Sequence, residues 1–146
     1  MVYLFAYGTL KREEANHHLI LRNRGKYLGQ ATSTNSRFTL QGYHFPVLLA
    51  FDEPRQYTHQ VHGEVYEFVD GIPSDIDKLE GYPDFYNRKE FPYVLENGQT
   101  VLAQTYYMSF KTELQDLNTD RVKPVPDLNG IKNWSRYNDD SLKKTG

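Results

Sequence analysis

The chain has 146 residues, a formal net charge of -2 and no cysteine. This length is typical of one domain that buries its own core, so we expect a single domain over residues 1–146. The lack of cysteine excludes a thiol nucleophile, a disulfide framework and cysteine metal sites, and the near-neutral charge argues against nucleic acid as a partner.

The N-terminal half is predicted to consist mainly of strands. Residues 2–7 are apolar nearly throughout, which predicts a central strand that Gly8 breaks. This run is too short for a signal sequence or a membrane span, so we expect no membrane partner and a cytoplasmic location. Residues 13–24 predict a short helix that ends at Gly25. Extended patterns predict strands farther along, two within 26–40 and one each in 47–51 and 59–69.

The C-terminal half begins with a predicted two-turn helix over 74–80, with Ser74 as its N-cap and Gly81 as its stop. Asn97-Gly98 lies between two extended runs, which predicts a hairpin. Beyond residue 110 the pattern fades, and 111–146 is predicted to be an irregular C-terminal arm. Strands outnumber helices, so an α+β fold, either a mixed barrel or an open sheet, is favoured over a doubly wound sheet.

One glutamate is predicted to lie on the apolar side of the helix over 74–80. Ile76 and Leu79 are three residues apart and form its predicted buried stripe. Glu80 is four residues from Ile76 and falls on the same stripe. Asp77 and Lys78 fall on the other face.

This placement of Glu80 permits two interpretations. It is a structural glutamate paired with Arg88 or a tyrosine, or it is a general acid/base. Desolvation raises the pKa of a carboxyl group toward neutrality, where proton transfer in both directions is most effective.

The bend after the first predicted strand is the second candidate feature. Tyr7-Gly8-Thr9-Leu10 leaves successive backbone N–H groups without strand partners, and Gly8 permits close backbone approach or a positive φ. Such a nest binds a carboxylate or a developing oxyanion. The other interpretation is an ordinary strand-to-loop turn.

Four histidines were considered as metal ligands. His17 and His18 are adjacent on a predicted helix and point about 100° apart, while His59 and His62 fall on opposite faces of a predicted strand. No His-Glu-x-x-His pattern is present, so we expect no metal site. A Gly-x-Ser-x-Gly elbow is also absent, which argues against a serine triad.

Taken together, these segments resemble the gamma-glutamylcyclotransferase-like superfamily, and its gamma-glutamylamine cyclotransferase branch most closely. The resemblance covers residues 2 to about 108. It is carried by four segments of the sequence: Phe5-Ala6-Tyr7-Gly8-Thr9-Leu10-Lys11-Arg12 with Asn16-His17, Gly63-Glu64-Val65-Tyr66, Ile76-Asp77-Lys78-Leu79-Glu80-Gly81-Tyr82-Pro83, and Tyr86-Asn87-Arg88.

The resemblance implies a small mixed β-barrel with flanking short helices and no metal or organic cofactor. It implies that Glu80 is the catalytic acid/base and that the substrate is a small gamma-glutamyl amide, cyclised to 5-oxoproline with release of a free amine. The residues that it implies for substrate binding are Tyr7, Gly8, Thr9, Leu10 and Tyr86. Two alternatives stay open: an enzyme that acts on another gamma-glutamylated metabolite, and a non-catalytic binding domain that keeps the pocket.

Overall fold

The computed structural model describes residues 1–42, 46–56 and 58–109, and the predicted arm over 111–146 lies outside this part of the chain. The described residues form seven strands and two short helices. The strands are β1 (Val2–Ala6), β2 (Lys26–Ser33), β3 (Phe38–Gly42), β4 (Pro46–Ala50), β5 (His62–Phe68), β6 (Asn87–Leu95) and β7 (Thr100–Ser109), and the helices are α1 (His18–Arg22) and α2 (Ser74–Leu79).

Five of the strands close into a barrel in the order β1-β5-β2-β6-β7, and β7 returns to β1. Four of the contacts around the barrel are antiparallel, and the closing contact between β1 and β7 is parallel, with Leu4 beside Gln104. β4 extends the sheet from β7, and β3 pairs with β4. The predicted small mixed β-barrel with flanking short helices is therefore confirmed.

β1 is apolar nearly throughout because both of its faces are buried. Phe5 points into the cluster that fills the barrel, where its ring stacks on Tyr93 at a centroid distance of 3.9 Å. Leu4 and Ala6 belong to a second cluster, outside the barrel wall, which also contains Ile20 of α1 and Ile76 of α2. The predicted central strand is confirmed, since β1 has a partner on each side.

The helix predicted over 13–24 is wrong in its first half. Residues 8–17 form consecutive turns, and helix geometry begins only at His18. Glu13 has a φ of 70°, which a continuous right-handed helix cannot contain. Asn16 N–H donates to Thr9 C=O at 2.8 Å, so the chain folds back on itself here. Because of these turns, the segment wraps around the end of β1.

α2 differs from the prediction at its N-terminus and agrees with it at its C-terminal stop. Pro73 occupies the N-cap position with no side-chain cap, so Ser74 is the first helical residue and not the cap. Glu80 is the C-cap residue, and Gly81 has a φ of 66°, the left-handed conformation that commonly ends helices. The predicted stop at Gly81 is therefore correct.

The two helices are tied to each other by Asp75. Its carboxylate accepts a hydrogen bond from Arg22 Nη2 at 2.6 Å and others from Asn23 Nδ2 at 2.9 and 3.0 Å. These hydrogen bonds, first from Asn23 and then from Arg22, lower the pKa of Asp75. The contact joins the end of α1 to the start of α2.

Candidate active site

A cavity of about 290 Å³ opens at one end of the barrel. β1 ends there, and the parallel register of Leu4 with Gln104 brings Tyr106 of β7 alongside Ala6. β6 starts at the same end, because Arg88 pairs with Tyr106. The cavity is lined by Phe5, Ala6, Tyr7, Gly8, Thr9, Leu10, Asn16, Leu79, Glu80, Phe85, Tyr86 and Tyr106.

The bend after β1 forms one wall of the cavity, and the turns that follow hold it in place. Asn16 Nδ2 donates to Thr9 Oγ1 at 3.0 Å, and His17 Nδ1 lies 2.9 Å from Leu10 C=O. Gly8 is buried and is not among the described glycines with a positive φ. Within the described ranges, the N–H groups of Gly8, Thr9 and Leu10 donate no hydrogen bond.

Glu80 forms part of the opposite wall, at the end of α2. Burial raises the pKa of its carboxyl group from an ordinary value near 4.5 to about 7. Its position at a helix C-terminus acts in the same direction, since the partial negative charge there disfavours a second negative charge. Its side chain has no ion pair or hydrogen bond to any residue in the described part of the chain. The carboxyl group can therefore change its protonation state near neutral pH.

Arg88 pairs with Asp77, not with Glu80. Arg88 Nε lies 3.1 Å from Asp77 Oδ1, and Arg88 Nη2 donates to Asp77 Oδ2 at 3.2 Å. Tyr106 Oη donates to Asp77 Oδ1 at 2.6 Å. The prediction that Asp77 lies on the solvent face is therefore wrong: its side chain is only 22% exposed, and it anchors α2 to β6 and β7.

Leu79 is more exposed than the predicted buried stripe requires. It was expected to be buried beside Ile76, yet it is 43% exposed while Ile76 is fully buried. Leu79 instead lines the mouth of the cavity, together with Phe85, which is 50% exposed. The reason is that a six-residue helix buries one residue against the barrel and turns the next position of the stripe toward the opening.

Three tyrosines supply the remaining polar surface. Tyr7 Oη donates to the backbone carbonyl of Tyr106 at 2.7 Å, and a hydrogen bond joins the Tyr7 and Tyr86 side chains. Burial raises the pKa of all three hydroxyl groups, and the nearby Glu80 carboxylate adds to the shift. They are therefore neutral hydrogen-bonding groups at any pH near neutrality.

The structure brings all six predicted site residues, Tyr7, Gly8, Thr9, Leu10, Glu80 and Tyr86, to the lining of one cavity. Sequence reasoning did not identify Asn16 and Tyr106 as site residues. Asn16 had a signal in the sequence, because Asn16-His17 is one of the segments that carry the family resemblance. Tyr106 had no local signal, because only the pairing of β7 with β1 places it here.

The described residues contain neither a metal-binding cluster nor a helix that could span a membrane. No group of three or more histidine and acidic side chains there is placed to hold a metal ion. Neither α1 nor α2 has the length or the apolar composition that a helix needs to span a bilayer.

Comparisons with known proteins agree with the fold. A family model described as gamma-glutamyl cyclotransferase, AIG2-like, matches residues 4–126. A Drosophila melanogaster protein named "Putative gamma-glutamylcyclotransferase" is 37% identical over 109 residues, which are 70% of this chain and 67% of that protein. The gamma-glutamylaminecyclotransferase of Bos taurus is 32% identical over 98 residues, which are 64% of this chain and 56% of the bovine protein.

Among solved structures, the crystal structure of a mouse AIG2-like protein has a TM-score of 0.64 and is 26% identical, and the match covers 93% of this chain and 97% of the mouse chain. The family match includes both walls of the cavity, the bend after β1 and the end of α2. The chain belongs to the gamma-glutamyl cyclotransferase, AIG2-like family.

Proposed function

We propose that the protein is a cyclotransferase that acts on L-gamma-glutamyl amines and releases 5-oxoproline and a free amine, with Glu80 as the acid/base. The observation that carries the proposal is the placement of Glu80, whose pKa of about 7 suits proton transfer in both directions, in the cavity that the Tyr7–Leu10 bend also lines. Membership of the family supports the reaction class.

In this reaction the substrate's α-amine attacks its own γ-carbonyl carbon. A new C–N bond closes a five-membered ring, and the C–N bond to the leaving amine breaks. The attacking nitrogen starts as an ammonium group, keeps one proton in the ring and gives up two, which end on the leaving amine. Glu80 accepts these two protons one after the other and passes each to the leaving nitrogen. Water is not consumed, because the nucleophile is the substrate's own nitrogen.

The bend after β1 binds the glutamyl part of the substrate in this proposal. The N–H groups of Gly8, Thr9 and Leu10 serve the α-carboxylate or the oxyanion that develops on the γ-carbonyl oxygen. Because the attack is intramolecular, holding the substrate in its folded reactive conformer supplies much of the acceleration. No serine or cysteine nucleophile is required.

The charge of the lining favours an amine over an amino acid as the leaving group. The described lining contains one acidic side chain, Glu80, and no lysine, arginine or histidine. A gamma-glutamyl amino acid brings a second carboxylate next to the scissile amide, and that charge would be desolvated without a cation to pair with it. Leu79 and Phe85 at the mouth instead offer apolar contacts to an alkyl group.

The test is a 5-oxoproline assay on matched pairs of compounds. In one member of each pair the leaving group is an alkyl amine, and in the other it is an amino acid with the same alkyl chain and an added α-carboxylate. We expect the gamma-glutamyl amines to be turned over. The kcat/KM of the gamma-glutamyl amino acids should be at least tenfold lower than that of the amines. Glu80→Gln should lower kcat by about 10²-fold or more. The control is Glu90→Gln, since Glu90 is an exposed β6 residue that does not line the cavity.

Different results would separate the remaining possibilities. Preference for the carboxylated compounds would assign another gamma-glutamylated substrate. Binding of 5-oxoproline without turnover of any compound would indicate a binding domain that keeps the pocket. A Glu80→Gln variant within a few-fold of wild type on a good substrate would remove Glu80 from the chemistry.

A further inference from the structure

We propose that Asp77 is a positioning residue for the chemistry at Glu80: it holds the Arg88 guanidinium and the Tyr106 hydroxyl proton away from the Glu80 carboxylate. The inference rests on the proposed role of Glu80 as the acid/base, and it assigns a function to a side chain that does not line the cavity.

The contacts around Asp77 support this assignment. Both of its oxygens are engaged by Arg88, and Oδ1 also accepts the Tyr106 proton at 2.6 Å. Arg88 is held further by Tyr82, whose ring centroid lies 4.6 Å below the guanidinium carbon. Asp77 therefore holds one cation, Arg88, and one hydroxyl donor, Tyr106, against α2.

Both groups are bound at Asp77, about one turn of α2 before Glu80. Asp77 and Glu80 are three residues apart, so they are neighbours along one side of α2 and its cap. Tyr106 lines the cavity, and besides burial its pKa is raised by Asp77, lowered by Arg88 and raised by Glu80. If Asp77 did not engage Arg88 and Tyr106, both would be free to turn toward the Glu80 carboxylate.

The other groups that face Glu80 carry no charge near neutral pH. They are the hydroxyl of Tyr7 from the end of β1, that of Tyr86 from the start of β6 and that of Tyr106 from β7. Burial is the cause of the raised pKa of Glu80, and the Asp77–Arg88 pair lies behind it on α2 and β6. A pair of opposite charges has a small net effect at a distance, so burial dominates and Glu80 keeps its raised pKa.

Removing one member of the pair at a time should move the titration of Glu80 in opposite directions. Asp77→Asn leaves the guanidinium unpaired and should lower the Glu80 midpoint by about one pH unit or more. Arg88→Met leaves the Asp77 carboxylate unpaired and should raise the midpoint. In the double variant Asp77→Asn/Arg88→Met both charges are absent, and the midpoint should return close to that of wild type.

The experiment follows the Glu80 carboxyl carbon by NMR from pH 4 to pH 9 in the free protein labelled with ¹³C-glutamate. The signal is assigned from its loss in Glu80→Gln. The pH profile of kcat/KM for a gamma-glutamyl amine is the second readout, and its ascending limb should move with the NMR midpoint. Asp75→Asn is the matched control, because Asp75 lies on the same helix and is paired with Arg22 instead of Arg88.

Opposite shifts in the single variants, with recovery in the double variant and none in Asp75→Asn, would support the proposal. An unchanged midpoint in Asp77→Asn and Arg88→Met would overturn it. The same loss of activity in these two variants and in the double variant, without a change in pH profile, would also overturn it. If Asp77→Asn does not fold, Arg88→Met alone decides by the direction of its shift. If no gamma-glutamyl compound is turned over, the proposed function fails while the NMR titration still tests the role of Asp77.

Discussion

Two carboxylates on the last turns of α2 have opposite electrostatic situations. Asp77 is paired with Arg88 and accepts a hydrogen bond from Tyr106, whereas Glu80 is buried without an ion pair among the residues that the structure describes. Sequence spacing predicted the apolar surroundings of Glu80 correctly. It did not show which of the two takes the arginine, because that depends on where β6 places Arg88 relative to the helix.

The raised pKa of Glu80 predicts a cost in stability that depends on pH. Its pKa rises from about 4.5 to about 7 on folding, so between these values the folded state binds more protons than the unfolded state. Stability therefore falls as pH rises through this window, and the full penalty, on the order of 3 kcal/mol, is present above the folded pKa. Glu80→Gln should thus be more stable than wild type near pH 8, with the advantage disappearing near pH 4.

Urea unfolding of both proteins at a series of pH values checks this prediction. Glu90→Gln is the control and should show no comparable trend, because Glu90 is exposed on β6. The opposite trend, in which Glu80→Gln is less stable at pH 8 than at pH 4 relative to wild type, would show that Glu80 is a structural partner in an ion pair.

At the scale of elements, the turns over residues 8–17 contribute more of the described cavity lining than either helix does. Residues 13–17 of these turns were predicted as the first part of a helix that ends at Gly25, but the local sequence pattern does not detect the tie between Asn16 and Thr9. The strands were predicted well, because alternating or continuous apolar runs that are bounded by glycine, proline and asparagine rarely form another secondary structure. Gly98, with a φ of 90°, confirms the predicted hairpin between β6 and β7.

The hydrogen bond between the Asn16 and Thr9 side chains, which holds the bend after β1 in place, predicts an effect on substrate binding. Asn16→Ala removes the hydrogen bond from Nδ2 to Thr9 Oγ1 but keeps the backbone bond to Thr9 C=O. Loss of one such bond costs about 1 kcal/mol, so we expect KM to rise about fivefold with a smaller change in kcat.

Steady-state kinetics on a gamma-glutamyl amine check the effect of Asn16→Ala. Asn87→Ala is the control, since Asn87 is exposed at the start of β6 and does not line the cavity. A loss of thermal stability with unchanged KM would mean that Asn16 only supports the fold and has no role in binding.

At the scale of the whole molecule, the barrel depends on a close approach between β1 and β5. A Cβ atom at Gly63 would lie 2.3 Å from the backbone oxygen of Ala6 and 2.9 Å from the Phe5 ring. A backbone group cannot rotate away as a side chain can, so Gly63→Ala should lower the free energy of unfolding by about 3 kcal/mol, the upper end for overpacking.

Urea unfolding checks the Gly63→Ala prediction. The control is Gly71→Asn: a Cβ atom at Gly71 meets nothing within 4 Å, and asparagine tolerates its φ of 93° better than other residues do. A Gly63→Ala variant as stable as this control would show that β1 and β5 can separate without cost.

The parts of the fold that the sequence did not reveal are those that depend on distant pairing. The closure of the barrel by β1 and β7, and with it the place of Tyr106 in the site, follows from a contact between Leu4 and Gln104. Local propensity has no information about such a contact. The barrel was expected from the family resemblance, and the residues by themselves left an open sheet equally possible.

The parallel contact between β1 and β7 also has a consequence for how the protein acquires activity. The two walls of the cavity come from Tyr7–Leu10 and Glu80–Tyr86, and Tyr106 completes it from a third region of the chain. During synthesis the first wall leaves the ribosome early and must wait for the strand that closes the barrel, a non-local step of the kind that slows folding. A chain whose barrel has not closed therefore lacks the Tyr106 part of the cavity, and any activity that depends on the whole cavity requires the closed barrel.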